Sequence, residues 1–279
     1  MKIQSKGKIL DLTYPQVMGI LNTTPDSFSD GGKYTVVDNA VSYALDMVRD
    51  GATIIDIGGE STRPGAPEVS LQDELQRVIP VVKALRAKSD VWISIDTSKP
   101  EVMKQSIGAG ADFINDIRAL QEPGAIEFIA NADVPVCLMH MKGQPRTMQE
   151  SLHYDDFFSD IHRFFKNRIE ACLKGGVKKE NLIIDPGFGF GKTLEQNYNL
   201  LANLERFKLY DLPILTGLSR KTMFHKLLNK QPIECVIPSV VGAVACILNG
   251  AHILRVHDVK ETIEAVTILN MMNKYNLES

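Results

Sequence analysis

Eight short apolar runs punctuate the chain, and each of them ends on polar or charged residues. They occupy residues 17–21, 53–57, 91–95, 113–114, 136–139, 182–184, 214–215 and 253–256. Short runs rich in Val and Ile, bounded by Gly, Pro, Asp or Asn, read as buried strands. Longer amphipathic stretches with legible caps lie between them. Ser70 with Asp73 opens a periodic run reaching Ala87; Ser98 with Glu101, Thr193 with Gln196 and Asp258 with Glu261 open three more. Asp38-Asn39 is the expected start of the first helix and Gly51 its stop, while Pro80 is expected to kink or split the second. Strands alternating with helices imply a parallel sheet with right-handed crossovers. Eight such units suit an α/β chain of 279 residues folded as a closed (β/α)8 TIM barrel, a single domain over 1–279 with no linker or low-complexity tract. The rival is an open doubly wound sheet, whose dinucleotide version is weakened because no GxGxxG comes after the first run.

Charge and cysteine usage narrow the function classes. Lys and Arg number 31 against 34 Asp and Glu, a net charge of -3, so no basic stripe recommends a nucleic-acid partner. Cys137, Cys172, Cys235 and Cys246 are scattered without CxxC or Cys/His spacing. That pattern suggests a reduced, cytoplasmic chain and no zinc site. The opening MKIQSKGKILDL has no apolar core of signal-peptide length, and the stretch at 240–248 is too short and Gly-interrupted to span a bilayer, so no membrane partner is expected.

The residues at the end of each run carry the chemistry. The first run ends in Asn22, the second in GGESTR (58–63), the third in Asp96, the fourth in Asn115 and Asp116, and the fifth in His140. The sixth ends in Asp185-Pro186-Gly187, the seventh in GLSRK (217–221) and the eighth in Arg255 and His257. A barrel gathers all these strand ends on the face where active sites lie. Singly, each has an ordinary reading: Asp96 helps cap a helix, Asn115 sits in a turn, His257 is a structural histidine. Arg220 and Lys221 read as solvated charges, yet cations at a helix start oppose its dipole and ask for an anionic neighbour. Jointly, two carboxylates, two amides, a histidine and at least two cations make a pocket suited to a flat hydrogen-bonding heterocycle or a phosphorylated sugar. Two Gly- and Pro-rich loops, at 26–34 and 63–67, come after the first two strands and read as lids.

These stretches together resemble the dihydropteroate synthase family. The motifs are GILNTTPDSFSDGG, IDIGGESTRPG, SIDTSKPEV, INDI, LMHMKGQP, IIDPGFGFGKT, GLSRK and ILRVHDV, in order over nearly the whole chain. The resemblance implies condensation of 6-hydroxymethyl-7,8-dihydropterin diphosphate with 4-aminobenzoate, giving 7,8-dihydropteroate and diphosphate in folate synthesis. It also implies Mg²⁺, a homodimer, and sulfonamides as competitive inhibitors. The implied pterin contacts are Asp96, Asn115, Met139, Asp185, Lys221 and Arg255. Asn22, Thr62, Arg63, Arg255 and His257 would bind the diphosphate, with Asn22 the sole protein ligand of Mg²⁺. Phe28, Pro64, Phe190, Ser219 and Thr222 would line the 4-aminobenzoate pocket. Position 222 is Ser in many members, so Thr222 is a departure that adds a methyl to the carboxylate site. Catalysis would rest on Asn22, Arg63, Lys221, Arg255 and His257, through charge neutralisation by Mg²⁺, Arg and His and through positioning.

Three other readings compete. A pterin-binding methyltransferase barrel using a methylated folate would share the Asp and Asn contacts but has no use for STRPG, GLSRK and RVH. A Schiff-base aldolase would use Lys221 as an amine nucleophile. A catalytically silent barrel would keep the fold as a binding module, against which the intact ring of charged strand ends argues.

Overall fold

The computed structural model describes residues 1–23, 33–61, 67–143 and 152–276. The chain opens with an antiparallel hairpin of β1 (Lys2–Ser5) and β2 (Lys8–Asp11), which the sequence pattern did not reveal because each strand has only four residues and no apolar run. Among the described residues, eight parallel strands come next. They are β3 (Gln16–Asn22), β4 (Ile54–Gly58), β5 (Trp92–Asp96), β6 (Phe113–Asp116), β7 (Val136–Met139), β8 (Leu182–Asp185), β9 (Leu215–Thr216) and β10 (Ile253–Val256). The hydrogen-bonded order runs β8-β7-β6-β5-β4-β3-β10-β9. A parallel bridge between Ile184 and Ile214, with the Ile184 N–H donating to the Pro213 carbonyl at 3.0 Å, joins β8 to β9 and closes the ring. Closure excludes the open doubly wound sheet.

Helices α1 (Lys33–Arg49), α2 (Leu71–Arg86), α3 (Pro100–Ala109), α4 (Ala125–Ala132), α5 (Phe157–Lys174), α6 (Leu194–Ala202), α7 (Thr222–Leu228), α8 (Val236–Leu248) and α9 (Val259–Asn276) wrap the barrel. Strand pleating sorts the side chains. Alternate residues such as Val17, Leu21, Ile55, Ile57, Ile93 and Ile95 point outward into the core shared with the helices. The others point inward. Each barrel strand gives one apolar residue to the lowest inner layer: Met18, Ile54, Trp92, Phe113, Cys137, Ile183, Leu215 and Ile253. Ile3, Leu10 and Leu12, from the hairpin and just after it, seal that layer from below. Two residues further along each strand, the same inward parity selects Ile20, Asp56, Ser94, Asn115, Met139, Asp185, Gly217 and Arg255. The barrel therefore changes from hydrocarbon to charge within one pleat, about 7 Å.

Some helix boundaries depart from the expected caps. Ser70 and Thr193 do cap α2 and α6, the latter as a full capping box with Gln196. Ser98 does not cap α3; Pro100 is its first residue, and the Ser98 hydroxyl donates to Asp116 at 2.5 Å. The Asp258 carboxylate is engaged by Arg220 rather than by α9. The first helix begins at Lys33, one turn and more before Asp38. Pro80 does not split α2, which runs through it with Val78, Val81, Val82 and Leu85 buried. Pro80 itself is exposed, so the Gln76 carbonyl that loses its donor faces water. All four cysteines are unpaired and buried, and no helix among the described residues is long and apolar enough to cross a membrane.

Candidate active site

The polar inner layer is wired through one residue that the sequence motifs concealed, Asp56. It sits mid-strand in β4 between two isoleucines, with no solvent exposure. Its Oδ1 accepts from the Ser94 hydroxyl at 2.5 Å; its Oδ2 accepts from Arg255 Nε at 2.6 Å and Asn115 Nδ2 at 3.2 Å. Arg255 Nη2 then donates to Asp96 Oδ2 at 2.7 Å. Burial opposes the charge on Arg255, but Asp56 and Asp96 overcome it and hold the guanidinium protonated beyond its ordinary range. A carboxylate inside an apolar strand demands a buried cation, and that was the available signal for Asp56.

Above this wiring, several groups remain unspent. Asp185 at the end of β8 uses Oδ1 to accept from the Gly187 N–H at 2.8 Å, and Oδ2 has no partner among the described residues. Asp96 keeps Oδ1 free among the described residues, and Asn115, having given its NH₂ to Asp56, keeps its carbonyl oxygen. The Lys221 ammonium sits 4.2 Å over the Phe190 ring and makes no hydrogen bond with a described residue. Met139 and Phe190 form an apolar wall with Ile117 and Met141 packed against it. Acceptors, an amide oxygen and an ammonium around a hydrocarbon wall recognise a flat ring that presents both donors and acceptors along its edge.

Burial sets the protonation states. Asp96 is pushed up to about 7 by burial, with Arg255 opposing and Asp56 reinforcing. Burial lifts Asp185 to about 6 against the pull of the Gly187 N–H, Lys221, Lys192 and Arg255. Burial, helped by Arg255, lowers Lys221 to about 8, so at pH 7 it remains mostly a cation rather than an amine nucleophile.

His257 lies just past β10, and its backbone N–H donates to Ser219 Oγ at 3.2 Å. That hydroxyl also lies 3.0 Å from His257 Nδ1. Burial, Arg255 and Arg220 lower the imidazole to about 4. His257 is thus neutral in the free protein at pH 7, with one ring N–H. Arg220 finds its anionic neighbour in Asp258 and braces the GLSRK turn, whose Arg220 backbone is left-handed at φ 56°.

The structure brings Asp96, Asn115, Met139, Asp185, Phe190, Ser219, Lys221, Arg255 and His257 to the carboxyl-terminal mouth. Phe190 shares the wall with Met139. Thr222 is the exposed first residue of α7. Asn22 ends β3 exposed, opposite Gly58, and its amide makes no hydrogen bond with a described residue. Phe28, Thr62, Arg63 and Pro64, and most of both expected lids, lie outside the described residues.

Residues 18–257 match the model of the pterin binding enzyme family. The chain is 56% identical to the dihydropteroate synthase of Escherichia coli strain K12 over 96% of this chain and 95% of that one. It is 52% identical to that of Haemophilus influenzae over 96% and 98%. The chain belongs to the dihydropteroate synthase family. Among solved dihydropteroate synthases, the Yersinia pestis enzyme in complex with a sulfonamide drug superposes with a TM-score of 0.94 at 56% identity, covering 98% of this chain and all of that one. The Xanthomonas albilineans enzyme with 4-aminobenzoic acid superposes at 0.92 with 46% identity, covering 98% of each chain.

Proposed function

We infer that the chain condenses 6-hydroxymethyl-7,8-dihydropterin diphosphate with 4-aminobenzoate to give 7,8-dihydropteroate and diphosphate. The observation that carries this reading is the set of unspent groups on Asp96, Asn115, Asp185 and Lys221 around the Met139–Phe190 wall. Asp185 accepts from the adjacent N–H groups of the pterin edge, and Lys221 donates to its carbonyl and ring nitrogen. Arg255 lies against the ring with its fork fixed by Asp56 and Asp96. The carbon–oxygen bond to diphosphate breaks while the electron-rich dihydropterin stabilises the methylene cation. The aryl amine then attacks that carbon and loses a proton. Arg255 and a neutral ring N–H of His257 face the departing charge, so the protein acts by positioning and electrostatics, with no covalent intermediate. Because solved relatives include sulfonamide and 4-aminobenzoic acid complexes, sulfonamides are expected to compete with 4-aminobenzoate here.

Asn22 fits a Mg²⁺ ligand. Its amide oxygen is a hard donor at the mouth, and no group of three or more His, Cys, Asp or Glu side chains among the described residues forms a cage. Mg²⁺ commonly takes one or two protein oxygens and completes its shell with water and substrate phosphate. When bound, it would neutralise diphosphate charge. The test is turnover to dihydropteroate by the purified chain at graded Mg²⁺. No product from the intact chain would overturn the reading. Asn22→Ala is expected to need roughly tenfold more Mg²⁺ for half-maximal rate, one ligand's worth of about 1.4 kcal/mol. An unchanged requirement would remove Asn22 from the metal site.

The same reading includes a homodimer and a cytoplasmic location. Ile237, Val241 and Leu248 on α8, and Ile268, Met271, Met272 and Tyr275 on α9, are all more than half exposed. Their spacing places each set on one helix face, and the two helices pack side by side. An apolar stripe of that extent suits burial against a second copy. Sedimentation velocity is expected to show a dimer that Ile237→Lys weakens, and a monomeric parent chain would refute it. Four unpaired cysteines support a reducing compartment.

A further inference from the structure

Lys192 is the most deeply buried lysine among the described residues, at 3% exposure, yet no carboxylate accepts a hydrogen bond from it. Its Nζ lies 2.8 Å from the Gly187 carbonyl, 3.2 Å from the Phe190 carbonyl and 3.0 Å from His140 Nδ1. Those contacts satisfy three ammonium hydrogens with neutral acceptors. The loop after β8 curls around this nitrogen. Gly187, Gly189 and Gly191 all take positive φ, and a Cβ on Gly187 would stand 1.9 Å from the His140 carbonyl. Tyr154 and Asn197 hold the loop from outside, through the Gly191 and Lys192 carbonyls.

The curl matters because of what it carries. The Gly187 N–H that Asp185 Oδ1 accepts and the Phe190 ring under Lys221 belong to the two residues whose carbonyls Lys192 grips. His140 closes the circuit, since its backbone N–H donates to the Asp185 carbonyl at 2.8 Å. Its ring is locked edge-on against Phe164 at 5.0 Å. We propose that Lys192, clamped on His140, is a positioning residue for pterin recognition, holding the β8 loop and supplying the buried positive charge behind Asp185. This rests on the function proposed above.

Asp185 feels Lys221 from the turn before α7, Arg255 from β10 and Lys192 from its own loop. Burial lowers Lys192 to about 7, with Asp185 raising it and Lys221 lowering it, so it is mostly a cation below pH 7, where the Asp185 limb lies; it also touches His140, which Lys142 flanks. Burial holds His140 far below its ordinary range, so it stays neutral and accepting through the working pH range. Removing the Lys192 charge leaves Asp185 with two cations instead of three, which makes its ionisation harder. The acid limb of pterin recognition should then move to higher pH. Loop loosening alone would lower the rate without moving it.

The experiment measures KM for the pterin diphosphate and for 4-aminobenzoate from pH 5 to 9. Lys192→Met is expected to raise the pterin KM about tenfold, leave the aminobenzoate KM within about twofold, and shift the acid limb upward by about half a unit or more. Should Lys192→Met fail to fold, His140→Leu, which strips the acceptor from the ammonium, is expected to raise the pterin KM in the same direction. His140→Asn restores an acceptor near the Nδ1 position and should recover most of that loss. An unmoved limb in a folded Lys192→Met chain, or His140→Asn as damaging as His140→Leu, would overturn the inference. An inactive parent chain would instead overturn the proposed function.

Discussion

Arg255→Met is expected to cost about 3–5 kcal/mol of folding stability at pH 8, the usual penalty for stranding a buried charge. The reason lies in the pairing. Asp56 has no exposure, Asp96 is 8% exposed, and Arg255 is the cation that bridges both. Without it, two carboxylates sharing one pocket must ionise against each other or take up a proton. The deficit should therefore shrink as the pH falls. Asp96 fixes the sign, because its folded-state value already lies above the usual 3.8 at about 7. A raised carboxylate contributes stability below its unfolded value that is lost as pH rises through the folded one. Denaturant melts at pH 5 and pH 8 check this, and Asp56→Asn added to Arg255→Met should recover part of the loss at pH 8. A single variant as stable as the parent at pH 8 would show that the Asp56–Arg255–Asp96 chain is not an electrostatic unit. Turnover should fall by at least about a hundredfold, because the leaving diphosphate loses a fixed cation.

Asp185→Asn is expected to weaken pterin binding by about 2–3 kcal/mol, roughly thirty- to a hundred-and-fifty-fold, while leaving the fold intact or firmer. The substitution keeps the size and turns one acceptor into a donor that faces donors on the ring. Stability should go the other way. Burial lifts Asp185 to about 6 from 3.8, so its ionisation opposes folding increasingly as pH rises through that window. Asparagine has no such cost, and the variant's melting temperature should match or exceed the parent's at pH 8. Titration calorimetry with the pterin should also show the parent losing affinity in two steps as pH falls, near 7 from Asp96 and near 6 from Asp185, with only the Asp96 step left in the variant. Parent-like affinity would remove Asp185 from the pterin site. A large drop in melting temperature would mean that its bond to the Gly187 N–H matters more for folding than its charge costs.

Which residues end each strand is written locally. Alternating short and long apolar segments predict eight strand–helix units, and the residue after each run predicts the polar rim. The caps at Ser70 and Thr193 were legible because a side chain three residues from its backbone partner needs no help from the rest of the chain. Ser98 and Asp258 carried similar local signals, but folding placed Asp116 and Arg220 beside them, and charge-assisted bonds prevailed over caps.

Partners across the barrel were not legible. Asp56 and Arg255 are 199 positions apart and meet because closure brings β4 and β10 to either side of β3. Strand parity, which sends Asp56 inward and its isoleucine neighbours outward, has meaning only once there is an inside. Nothing local in GFGFGKT marks Lys192 as buried, and only the curl of three positive-φ glycines encloses its ammonium. Propensity and periodicity act over a few residues, so the chain's order of residues was enough to define the eight strand–helix units, the closed barrel they suit and the chemistry gathered at one end, but not the opening hairpin or every helix start. Which charges are paired, which are left for a ligand and which proton each holds came only with folding, because burial and distance set those energies and neither is a local property.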